Sequence, residues 1–208
     1  MGTSTAHPSP RVKAWNEVRQ LYRAGAAPPE IAGAVARAIP DEVVGSLASP
    51  RLCSVEPIVA RVAGAGCYDV LEAIEDERVV GHTVVEELAR TAAVRTALIA
   101  GVTDPRPDWL THVRAFACEC LAAAFEYFVA RDIVDYVGTE ALPDVAAMAS
   151  VIEAVAQEAR AAGRDAAASP FASPEVPEAL TPAVRARAVA AVMTGAFAIL
   201  RRRGLADA

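Results

Sequence analysis

The feature that most constrains this chain is its punctuation. Apolar residues recur at three- and four-residue steps, and prolines and glycines mostly fall between the periodic runs. From Val79 to Gly101, Val80, Val84, Leu88, Thr91, Val94 and Leu98 keep a helical step, and Gly101 reads as a stop. After the loop Thr103-Asp104-Pro105, a long helix is expected from about Asp108 to Val137. Its seam is Leu110, Val113, Ala117, Cys120, Ala124 and Tyr127, which Phe116, Phe125, Phe128 and Val129 widen until it must be covered on several sides. Pro143-Asp144 opens another helix, with Val145, Met148, Ile152, Val155 and Ala159 repeating up to Gly163. Thr181-Pro182 opens the last, which ends at Arg201-Arg202-Arg203-Gly204.

The N-terminal third carries the same period in shorter pieces. Val12, Trp15, Val18, Leu21 and Tyr22 share one face, and Gly25 ends that helix. Pro28-Pro29 opens a second helix to Pro40 and Asp41-Glu42 a short third; Ser49-Pro50 and Glu56-Pro57 mark further starts. No alternation of the strand type persists beyond four residues. These patterns predict an all-α, multi-helix bundle of about eight or nine helices. Residues 1–10 form a flexible tail and 11–204 a single helical domain. Within it, 11–78 is a short-helix half and 79–204 a long-helix half, with a Pro/Ala/Ser-rich crossover at 163–180.

Composition agrees with close helix packing. Hydrophobic residues make up 54% of the 208, yet much of that is alanine, and aromatics are only 5%. The net charge of −6 works against broad attraction to nucleic acid or an anionic membrane. Residues 1–10 lack the features of a signal peptide, so a cytoplasmic location with reduced thiols is expected. The longest apolar stretches, Ala186 to Leu200 and Leu121 to Ala130, read as interrupted or too short to cross roughly 30 Å of hydrocarbon.

Candidate chemistry is sparse. Cys118 and Cys120 are two apart, and such positions on a helix point about 200° from each other, so they cannot grip one ion; Cys53 and Cys67 add no second close pair. His82 with Glu86 and His112 with Glu119 each place a histidine and a carboxylate on one helix face. Convergence of those four would suit a divalent metal, but the Glu-x-x-His pairing of carboxylate-bridged bundles is missing and the other acids nearby fall on different faces, so an exposed pair or a capping role is the better account of them. The segment from Glu17 to Leu47 has the outline of a helix-turn-helix. Its third helix, however, opens on two acids and carries no cation for a DNA groove. Arg201 to Arg203 suit a helix C-terminus, Glu72, Glu75, Asp76 and Glu77 a solvated face, and Trp15 and Trp109 the edges of a core.

No residue therefore stands out as catalytic, cofactor-binding or metal-binding. The expectation is a non-catalytic helical interaction module (an adaptor, regulatory or assembly subunit). It would contact another protein, or itself, through Ala-rich faces such as Ala147, Ala154 and Ala161 or the last helix. Two other readings are a DNA-binding regulator with a degenerate N-terminal helix-turn-helix, using Arg11, Lys13, Arg19 and Arg23, and a small helical metal-dependent enzyme.

Overall fold

The computed structural model describes residues 10–47, 83–103, 109–168 and 182–203, and these are helical throughout apart from short turns. In chain order the helices are α1 (Pro10–Ala24), α2 (Pro28–Ala38), α3 (Asp41–Leu47), α4 (Val84–Thr103), α5 (Trp109–Ile133), α6 (Val145–Ala168) and α7 (Pro182–Arg202). A 3₁₀ turn, Val134–Tyr136, follows α5. The all-α class is as the periodicity requires. The described residues hold seven α-helices against the eight or nine expected, and the starts at Ser49-Pro50 and Glu56-Pro57 lie outside them. So do His82, Cys53, Cys67 and residues 169–180 of the expected crossover.

Local chemistry sets most of the boundaries. Gly25 adopts φ +62°, its N–H donates to Tyr22 O, and the Ala26 N–H reaches back to Leu21 O at 3.0 Å, a left-handed stop that only glycine takes without strain. Thr83 and Glu86 cap α4 reciprocally: the Thr83 N–H donates to the Glu86 carboxylate (3.1 Å) and the Glu86 N–H to the Thr83 hydroxyl oxygen (3.3 Å). Asp144 caps α6 by accepting from the Ala147 N–H at 2.8 Å.

Two glycines expected to end helices do not. Gly101 lies inside α4, which continues to Thr103. Gly163 lies inside α6, which continues to Ala168, so the crossover cannot begin at 163. The physical reason at Gly163 is contact, because a Cβ there would sit 2.9 Å from the Cys118 sulfur and 3.0 Å from Leu121 Cδ1. The glycine lets α6 approach α5, and the loss of helix propensity, about 1 kcal/mol, is offset by that packing.

Helix α5 is the axis of the bundle, packed against α4, α6 and α7 and also touching α1 and α2. Val113, Ala117, Cys120, Leu121, Ala124, Phe125, Phe128 and Val129 are all buried, so it is apolar nearly all round, whereas Tyr127, expected in the seam, is 38% exposed. Phe125 meets Phe197 of α7 with ring centroids 5.8 Å apart, and Trp15 of α1 meets Phe128 at 6.0 Å. One continuous core takes residues from all seven helices. Burying a Leu or Phe of this kind contributes about 1.5–3 kcal/mol.

Candidate functional site

The four residues that could have met around a metal are committed elsewhere or fall outside the described chain. Glu86 is spent on the α4 cap. Glu119, only 6% exposed, is held by Arg160 of α6, whose Nε donates at 3.0 Å to one carboxylate oxygen and whose Nη2 donates at 3.2 Å to the other. His112 is half-buried, and its Nε2 is buried without a hydrogen-bond partner. Among the described residues no group of three or more His, Cys, Asp or Glu side chains is placed to hold a metal ion.

What the interior holds instead is a charge ladder across three helices. Arg95 of α4 donates from both terminal nitrogens to Glu126 of α5, at 2.9 and 2.7 Å. Arg160 lies 3.5 Å from Glu126, grips Glu119 one heptad earlier on α5, and reaches Glu153 on its own helix at 3.3 Å. The pairing holds the Arg95 guanidinium above its usual pKa range. With their oxygens filled by guanidinium donors, these carboxylates offer a metal or a proton acceptor little room. The ladder ties α4, α5 and α6 together. The sequence reading set Glu119 beside His112 and missed Arg160; two glutamates seven residues apart on an otherwise buried helix were the available signal.

The thiols are equally poor reagents. Cys118 and Cys120 are both buried and free, and burial pushes the Cys118 thiol up to about 11 and the Cys120 thiol up as well.

A second polar cluster joins the C-terminal ends of α2 and α7. Arg37 of α2 donates to the carbonyls of Arg201 and Arg203, and Arg201 of α7 donates from Nε to Ala36 O at 3.0 Å and from Nη2 to Asp41 at 2.7 Å. A shallow cleft of about 370 Å³ lies beside them, lined by Ala14, Ala38, Ile39 and Pro40, but both guanidiniums are turned into carbonyls and carboxylates. The helix-turn-helix outline is changed by this arrangement. Helix α2 is buried along almost its whole length, from Ile31 to Ala36 and again at Ala38, and Asp41 at the head of α3 pairs with Arg201. Helix α2 is part of the core, and α1 and α3 add Val18, Tyr22 and Leu47 to it.

Among the described residues, the outer surface carries a seam between α1 and the end of α5. Along α1, Val12, Trp15, Arg19 and Arg23 follow at three- and four-residue steps; along α5 and its 3₁₀ extension, so do Tyr127, Arg131 and Val134. Arg131 joins them, its guanidinium 5.2 Å from the Trp15 ring centre and 5.4 Å from that of Phe128, while Arg23 lies 5.4 Å from the Tyr136 ring. Val12 is 47% and Val134 54% exposed. The Ala-rich strip expected on α6 is less open, since Ala147, Ala154 and Ala161 are each half-buried. Helix α7 corrects the reading of the apolar stretches: Ala183–Arg202 is long and apolar enough to cross a membrane by length and composition, although half of that span is buried in the bundle.

No protein-family model, curated protein or solved structure matches this chain. The fold itself defines an all-α bundle around one axial helix, with an aromatic and arginine-rich seam on its surface.

Proposed function

We propose that this chain is a non-catalytic interaction module, an adaptor or assembly subunit that works through its helix faces. The α1/α5 seam carries the reading. It combines exposed aliphatic side chains with Trp, Tyr and Arg, the residue types that dominate binding energy at protein interfaces. The interior polar groups favour the same view, because Glu119, Glu126 and Arg160 satisfy one another across helices. A metal-dependent enzyme would need Glu86 and Glu119 released from those roles, and a helix-turn-helix regulator would need α2 and α3 detached from α7.

The test is a capture from the native cell extract with the full chain, comparing wild type with a Tyr127→Asp, Val134→Asp variant whose helical content is first checked by circular dichroism. A protein retained by wild type and lost by the variant supports the module. Equal capture by both, or none by either, overturns it.

A further inference from the structure

We draw no further inference here: the strongest candidate, the surface seam of Val12, Trp15, Tyr127, Arg131 and Val134 between α1 and the end of α5, has its cations offset by the exposed acids Asp135 and Glu140, and nothing in the structure shows what covers it.

Discussion

Arg37 and Arg201 each cap the other's helix. Arg37, on the last turn of α2, donates to the carbonyls of Arg201 (3.2 Å) and Arg203 (3.1 Å) at the end of α7, and Arg201 donates to Ala36 O (3.0 Å) and Ile39 O (3.5 Å) at the end of α2. Terminal carbonyls of a helix lack intrahelical donors and carry the negative end of its dipole, so two such ends side by side would repel. Two guanidiniums crossing between them supply the donors and the charge.

Loss of either arginine should therefore leave carbonyls of the opposite helix short of donors. Arg201→Ala is expected to cost about 1–3 kcal/mol in urea unfolding, the range for hydrogen bonds to charged groups. Arg37→Ala should cost a similar amount, and the double variant less than the sum, because the two act at one junction. Arg201→Lys should recover little, since one ammonium cannot span Ala36 O and Asp41 together. Strict additivity would show that the caps are independent.

The same junction depends on Gly33. A Cβ there would fall 2.4 Å from Arg203 O and 3.1 Å from Leu200 O, both backbone atoms that cannot swing aside. In an ordinary helix interior Gly→Ala gains about 1 kcal/mol; here Gly33→Ala is expected to lose about 1–3 kcal/mol or more. Gly163→Ala should also lose, but its obstacles are the Cys118 and Leu121 side chains, so adding Cys118→Ala should return part of the loss. Thermal melting of the four proteins checks both statements, and a stabilised Gly33→Ala would refute the close approach.

These glycines show where sequence reading ran out. Gly25 and Gly163 look alike in a linear string, each following an apolar run, yet one takes φ +62° to end α1 and the other continues α6 against α5. A glycine used for contact is recognisable only once the facing residues are known. Capping was legible because it is local: Asp144 lies three residues from the N–H it accepts, and Pro28-Pro29 fixes the entry of α2. Buried charge was not, because Glu119 and Arg160 are 41 residues apart and each passes for a surface residue of an amphipathic helix. The seam was half legible: Val12, Trp15 and the α1 cations could be read, but nothing in the string places Arg131 over Trp15.

The buried ladder supplies a test of its own. Arg160→Met would leave Glu119 buried without its guanidinium, and a lost buried partner costs about 3–5 kcal/mol. Adding Glu119→Leu removes the stranded charge and should recover most of that loss, since an apolar pair of similar volume is often as stable as the ion pair. If the double variant is no better than Arg160→Met, the cost lies in packing around residue 160 rather than in the unpaired carboxylate.

Alkaline pH should weaken the fold through the thiols of α5. The Cys118 thiol is pushed from 9.0 up to about 11, chiefly by burial, and the buried Cys120 thiol and Tyr22 hydroxyl are pushed up for the same reason. A raised acid binds its proton more tightly in the folded state, so its contribution is intact below pH 9. It is lost as pH climbs from 9 towards 11, where the unfolded thiol ionises and the folded one does not. For Cys118 alone this amounts to about 2 kcal/mol by roughly pH 10.5. Urea midpoints at pH 7 and pH 10.5 should differ accordingly, and Cys118→Ala with Cys120→Ala should flatten the difference whatever it costs at neutral pH. A thiol reagent at neutral pH should modify Cys118 and Cys120 only as fast as the bundle opens; immediate labelling of either one, located by peptide mapping, would mean that the Cys118 sulfur is not covered by α6 at Gly163 or that Cys120 is not buried in the core.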